Sequence, residues 1–280
     1  MVSYFPVLPT ITDHNLTDKI LSSTDVFNHT SNCKISALKT NKEKYLYFAA
    51  YKHEHDFWSL VSVNECKRGK FLRLSRSSLG GSNDQMIVVV AKFSNSFKSQ
   101  SRYLPKPDSL RLDLSPVAER ASLNYHFKNN STSYQGEYPY KMSCLKKGTF
   151  WSFDILKETE TEASESFLIL MNINQDAQVN SKVDIEIYHP TDIERKLHFS
   201  ARQNSYTVLN LREVSHLLPK GCLGTPLFMQ SKNSSFIPMI LNVNKIANQL
   251  SLEHTHPPTE LLWGRDKIQA AQLIKKQWFS

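Results

Sequence analysis

Two histidines near the end of the chain raise the first chemical question. The stretch "EHTHPPTE" (253–260) sets His254 and His256 at i and i+2, with Glu260 after two prolines. On a strand that spacing sends both imidazoles to one face. Two ring nitrogens and a carboxylate oxygen could then share a divalent metal. The same three groups could instead line a ligand pocket, or simply be hydrogen-bonded where Pro257 and Pro258 end a strand. A second pair, His53 and His55 in "YKHEHDFW" (51–58), falls between two strand-like runs and reads as a turn.

Recognition chemistry is concentrated elsewhere. "STSYQGEYPYKM" (131–142) groups Tyr134, Gln135, Glu137, Tyr138 and Tyr140. Tyrosine offers a stacking face and a hydroxyl; glutamine and glutamate add directed hydrogen bonds. Read as a loop, this set suits sugar or peptide binding, and Trp263 in "ELLWG" supplies a comparable ring near the histidines. The densest basic run, "KRGKFLRLSR" (67–76), could meet phosphates or acidic polysaccharide, or be a strand with a cationic solvent face. It carries no nucleic-acid fold signature. Nucleophilic catalysis has no GxSxG, and there is no phosphate-loop or dinucleotide fingerprint. Cys222, in "KGCLG", reads as a structural thiol.

The elements that must position these groups read as strands. The chain has 280 residues, 40% hydrophobic and 11% aromatic, with only 8 glycines and a formal charge of +8. "VDIEIYHP" (183–190) alternates, with Val183, Ile185 and Ile187 on one face. "KLHFSAR" (196–202) points Leu197, Phe199 and Ala201 inward. "MIVVVA" and "FLILM" are strand-length apolar runs, far short of a bilayer span. Short alternating runs separated by turn residues predict an all-β antiparallel sandwich. "TFWSFDIL" (149–156) is expected to pair with "SFLILMN" (166–172), the acidic run between them forming a hairpin tip. The late period of three and four in "GRDKIQAAQLIKKQW" (264–278) predicts a C-terminal amphipathic helix packed on the sandwich.

This gives three segments: an N-terminal β module over 1–148, a β-sandwich module over 149–262 and the helix over 263–280. The halves read as one sandwich or as two related modules. "ASLNYHFKNNSTSYQGEYPYKM" (121–142) and "LSLEHTHPPTELLWGRDKI" (250–268) each bring a Ser-Leu step, a histidine soon after, a polar loop and an aromatic with glycine.

Residues 166–256 resemble the sensory rhodopsin transducers, a family of small β-sandwiches. The likeness rests on "SFLILMNINQDAQVNSKVDIEIYHP", "LHFSARQNSYTVLNL" and "TPLFMQSKNSSFIPMILN", about a third of the chain. It implies a sandwich fold and a binding or signal-transfer role. The HxHxxxE spacing is similar to the first metal motif of the cupins, but His256 is the last histidine of the chain.

The expectation is a noncatalytic binding protein for a carbohydrate or a protein partner. The alternative is a metal-dependent enzyme centred on His254, His256 and Glu260. No cofactor beyond a possible divalent metal is implied, and no specific nucleic-acid partner. A homo-oligomer stays open. The four cysteines lie far apart, and no basic region precedes an apolar run at the N-terminus, so the chain reads as cytoplasmic.

Overall fold

The computed structural model describes residues 3–28, 45–80, 85–91, 94–105, 119–135, 138–139, 149–154, 163–172, 182–188, 194–202, 204–217, 226–231 and 236–254. The fold is all-β. The chain divides into two units. The first comprises Met1–Thr12, Asp18–His126 and Ser131–Cys144; the second comprises Asp13–Thr17, Phe127–Asn130 and Leu145–Ser280. The expected C-terminal helix lies outside the described residues.

Among the described residues the first unit holds β1 (Ser3–Val7), β2 (Leu21–Asn28), β3 (Tyr45–Glu54), β4 (Phe57–Lys67), β5 (Phe71–Ser75), β6 (Met86–Ala91), β7 (Gln100–Ser101), β8 (Glu119–Phe127), β9 (Asn130–Gln135) and β10 (Tyr138–Pro139). They form a six-stranded sheet, β10-β1-β6-β3-β4-β7, and a four-stranded sheet, β5-β2-β8-β9. Period-two alternation decides which residues enter the core. From the larger sheet come Phe5, Val7, Phe48, Ala50, Met86, Val88 and Val90; from the smaller come Val26, Leu74 and Ala121. Burying one such large aliphatic or aromatic side chain contributes about 1.5–3 kcal/mol.

Two polar residues of β2 also face inward, and each must find an acceptor. Ser22 Oγ donates to Leu8 O at 2.5 Å, and Thr24 Oγ1 donates to Pro6 O at 2.7 Å. Pro6 lacks an N–H but keeps the carbonyl that Thr24 needs. The buried Arg76 guanidinium adds donations to Leu8 O at 2.9 Å and Val7 O at 2.8 Å. The far face of the larger sheet is apolar and buried too, at Tyr4, Tyr51, Ile87 and Val89. Tyr4 and Tyr51 hydroxyls donate to Pro105 O and Lys98 O, both at 2.9 Å, which ties the segment after β6 to this face.

The second unit holds β11 (Thr149–Asp154), β12 (Ser164–Asn172), β13 (Lys182–Tyr188), β14 (Lys196–Arg202), β15 (Tyr206–Asn210), β16 (Pro226–Ser231), β17 (Phe236–Asn244) and β18 (Gln249–His254), with a 3₁₀ helix at Leu211–Leu217. Its two sheets run β11-β16-β13-β14 and β15-β12-β17-β18. Leu168, Leu170 and Ile240 from one sheet meet Val183, Ile185, Ile187, Ala201 and Met229 from the other. The inward sets expected for "VDIEIYHP" and "KLHFSAR" are therefore the core sets.

The two units repeat one strand order. In the first, β1-β6-β3-β4 faces β5-β2-β8-β9; in the second, β11-β16-β13-β14 faces β15-β12-β17-β18. Taken in chain order, β1 corresponds to β11, β2 to β12, the β3–β4 hairpin to β13–β14, β5 to β15 and β6 to β16. β8 and β9 then correspond to β17 and β18. The suggested match of "ASLNYHF" to "LSLEHTH" is off by one strand, because these are β8 and β18.

Two further expectations are corrected. β11 does not pair with β12; it pairs with β16, while β12 lies between β15 and β17. Every residue of β12 is buried, so this run needs a strand on each side and cover on both faces. The tyrosine-rich stretch is not one loop: Asn130–Gln135 is strand β9 and Tyr138–Pro139 is the short strand β10. Removing part of the second core by Ile185→Ala should cost about 2–5 kcal/mol, read as a lower urea midpoint with an unchanged slope. Ile246→Ala, at a side chain 80% exposed, should stay within about 0.5 kcal/mol of the parent.

Candidate functional site

The outward face of β5-β2-β8 is where the repeated topology diverges in chemistry. In the second unit the equivalent face of β12 and β17 carries Phe167, Ile169, Met171, Met239, Leu241 and Val243, all buried. Its one acid, Glu165, has a side chain with 0% exposure and is paired with Arg212 at 2.7 Å and Lys245 at 3.2 Å. Asn210 Nδ2 reaches both Glu165 Oε2 at 3.3 Å and Asp13 Oδ2 at 3.2 Å. That face is a closed, packed surface.

In the first unit the same face is polar and partly open. Alternation places Leu21, Ser23, Asp25 and Phe27 of β2 on it. The register then sets Ser23 between Ser75 and Asn124, Asp25 between Arg73 and Ser122, Phe27 beside Phe71, and Leu21 beside His126. The guanidinium of Arg73 forks onto Asp25, with Nε to Oδ1 and Nη2 to Oδ2 both at 2.8 Å. This bidentate geometry fixes both groups. Ser23 Oγ lies 3.0 Å from His126 Nε2. Ser122 Oγ donates to Asn124 Oδ1 at 3.0 Å, and Asn124 Nδ2 donates to Ser122 O at 3.1 Å and toward Ser23 at 3.4 Å. Phe27 and Phe71 stand with centroids 5.8 Å apart at 43°.

The small residues sit low and the long ones rise above them. Ser23, Asp25 and Asn124 are buried, whereas Leu21 is 55% exposed, Phe71 is 58% exposed and the Arg73 side chain is 57% exposed. The result is a hydrogen-bonding platform with an aromatic ring at one end. Burial holds the His126 imidazole below its ordinary pKa, the Arg73 charge adds to this, and Asp25 opposes it. The ring is neutral near pH 7, with one nitrogen to donate and one to accept. The Ser23–His126 contact does not present a nucleophile: Ser23 is 3% exposed, and Asp25 is held by Arg73 rather than by the imidazole.

The sequence candidates distribute as follows. Tyr134 is half-buried on β9, the strand beside β8 in the same sheet, and Gln135 ends that strand. Tyr138 is on β10 opposite Tyr4. His254 ends β18 opposite Met239. Glu137, Tyr140, His256, Glu260 and Trp263 lie outside the described residues. His53 and His55 belong to the β3–β4 hairpin, where His55 takes φ +49° in the turn and the His53 ring meets the Trp58 edge at 4.9 Å. Among the described residues no group of three or more His, Cys, Asp or Glu is placed to hold a metal ion, and no helix is long and apolar enough to cross a membrane.

Sequence reasoning missed this platform because "LSSTDVFN" lacks an apolar stripe. Its serines, threonine and aspartate disguise a central strand. The signal that could have found it is alternation of a different kind, with Ser22, Thr24 and Val26 against Ser23, Asp25 and Phe27. No protein-family model matches the chain, and no curated protein is similar to it.

His126 gives a pH test. Because folding lowers its pKa, the unfolded chain binds more protons in the window below about pH 6.5. The associated stability is present above that pH and is lost as pH falls through the folded-state value. Proton NMR should find the His126 midpoint below 6.5, and His126→Gln should remove this step from the pH dependence of the urea midpoint.

Proposed function

We propose that the chain is a noncatalytic carbohydrate-binding protein that uses the β5-β2-β8 platform of its first unit. The carrying observation is the side-by-side arrangement of an exposed Phe71 ring with the fixed Arg73–Asp25 fork and the Ser122–Asn124–Ser23–His126 network. A sugar ring has one apolar face that stacks on an aromatic and equatorial hydroxyls that both donate and accept. Arg73 supplies donors, Asp25 supplies acceptors, and His126 supplies either, while Asn124 holds Ser122 and Ser23 in place. These groups are held by strand register and by one another, so little side-chain freedom remains to be lost on binding. Tyr134 on the neighbouring strand extends the same sheet.

The resemblance of residues 166–256 to the rhodopsin transducers supports a binding role over a catalytic one. Cytoplasmic location belongs to the same proposal: Cys66 is a buried free thiol, as suits a reducing compartment.

Calorimetry against a panel of neutral and acidic hexasaccharides tests the reading. At least one should bind, and Phe71→Ala should weaken it about 5- to 30-fold, the equivalent of about 1–2 kcal/mol. Phe71 is largely exposed, so the variant should keep the parent's urea midpoint. Absence of binding across the panel, with a specific partner recovered in pulldowns, would replace the reading by a protein-interaction role. Stoichiometric zinc, iron or manganese that His254→Ala removes would replace it by the metal-dependent alternative.

A further inference from the structure

The Ser122–Asn124–Ser23–His126 network has a direction, and that direction fixes where the imidazole proton sits. The Asn124 side chain is oriented by what surrounds it. Its Nδ2 lies 3.1 Å from Ser122 O and 3.4 Å from Ser23 O. Carbonyl oxygens only accept, so the amide nitrogen must face them and Oδ1 must face away. Oδ1 accepts from Ser122 Oγ at 3.0 Å. The same Nδ2 approaches Ser23 Oγ as a donor, at 3.4 Å.

Ser23 is 3% exposed, so its hydroxyl needs an acceptor within the protein. Among the described residues the Oγ has two side-chain neighbours, Asn124 Nδ2 and His126 Nε2 at 3.0 Å. An amide nitrogen accepts nothing. The Ser23 proton therefore points at Nε2, and a ring nitrogen that accepts carries no proton of its own. In the neutral ring the hydrogen is on Nδ1.

Acid disturbs this order at one point. A proton added to Nε2 turns it into a donor, Ser23 Oγ then faces two donors, and the hydroxyl hydrogen loses its acceptor. Asn124 cannot answer by turning over, because Oδ1 would meet the carbonyls of Ser122 and Ser23. The charged and titratable groups about the ring come from four places. Asp25 on β2 is bonded to Arg73 on β5, and Leu21, directly opposite the histidine, is apolar. β9 brings Tyr134, and the β8–β9 turn brings Lys128, whose Nζ lies over the Phe127 ring at 5.3 Å. Burial disfavours the imidazolium, the Arg73 charge adds to this, and Asp25 opposes it.

We infer that Asn124 acts through Ser23 as a proton-sensitive lock on His126: it fixes the imidazole with its hydrogen on Nδ1, and acidification breaks the Ser23–His126 contact and frees the ring from β2. The contact is intact above the ring's midpoint and is lost as pH falls through it. The lock narrows the ring's role, since the nitrogen that Ser23 leaves unengaged is a donor and a ligand group that meets it has to accept. Asn124 is a positioning residue here, two hydrogen bonds away from the group it controls.

Long-range proton–nitrogen NMR of the full chain, labelled at the histidine ring nitrogens, tests the lock with no ligand present. Its failure is therefore separate from failure of the carbohydrate reading. His126→Gln assigns the signals. Well above the midpoint, Nδ1 should show the signature of a protonated nitrogen and Nε2 that of a bare one. On acidification both should become protonated in one step, and the Asn124 side-chain amide signals should move with them. In Ser23→Ala no hydroxyl needs an acceptor, so the two nitrogens should share the hydrogen and the midpoint should rise toward the ordinary histidine value. In Asn124→Asp the carboxylate takes the Ser23 proton, and Nε2 should become the protonated nitrogen. A parent ring with its hydrogen on Nε2 overturns the inference. So does a Ser23→Ala variant, folded by its amide spectrum, that keeps either the parent's tautomer or its midpoint; this variant decides the matter if Asn124→Asp does not fold. A folded Asn124→Asp variant that leaves the hydrogen on Nδ1 overturns it as well.

Discussion

The first unit depends on how one polar strand is satisfied. β2 runs through the middle of its sheet with residues 22–26 buried on both faces, yet four of those five are Ser22, Ser23, Thr24 and Asp25. A buried polar group without a partner costs about 1–3 kcal/mol, so the surroundings must answer each one. They do so in alternation. Ser22 and Thr24 face inward and bond to the carbonyls of Leu8 and Pro6, which stitches the smaller sheet to the segment carrying β1. Ser23 and Asp25 face outward and organise His126, Asn124 and Arg73. One four-residue stretch therefore closes the sandwich on its inner side and builds the platform on its outer side.

The comparison with the second unit shows what the fold requires and what it leaves free. β12 has the position of β2 in the same strand order, but it is almost wholly apolar on its outward face, and that face is buried. Its single acid is matched by two cations and an amide. The architecture thus tolerates either an oily or a polar outer face on this sheet, provided every buried charge is paired. The polar version is the one that leaves Phe71, Arg73 and Leu21 in reach of solvent. One strand order thus carries two outer faces of different chemistry over similar apolar cores.

Much of this was legible in the residues. The alternation in "VDIEIYHP" and "KLHFSAR" gave the core residues of β13 and β14 directly, because one face is buried and the other is wet. "MIVVVA" gave β6 because an apolar run of that length has few other uses. Pairing partners were not legible: "TFWSFDIL" and "SFLILMN" are neighbours in sequence but belong to different sheets, and nothing in either run records which strand lies beside it. The platform escaped notice for a related reason. Its groups come from β2, β5 and β8, and only the register brings Asp25 opposite Arg73 and Ser23 opposite Asn124. The basic run was visible, but its rigidity was not, since that depends on Asn28 from a distant strand.

The central claim is that the outward face of β5-β2-β8 is the surface that meets ligand. Amide chemical-shift mapping during titration with the hexasaccharide that calorimetry selects tests it most directly. The account predicts progressive shifts concentrated at Phe71–Arg73, Ser23–Phe27 and Ser122–His126, with the β13–β14 hairpin unmoved. Shifts confined to the second unit, or a spectrum that ligand leaves unchanged at saturating concentration, would contradict it.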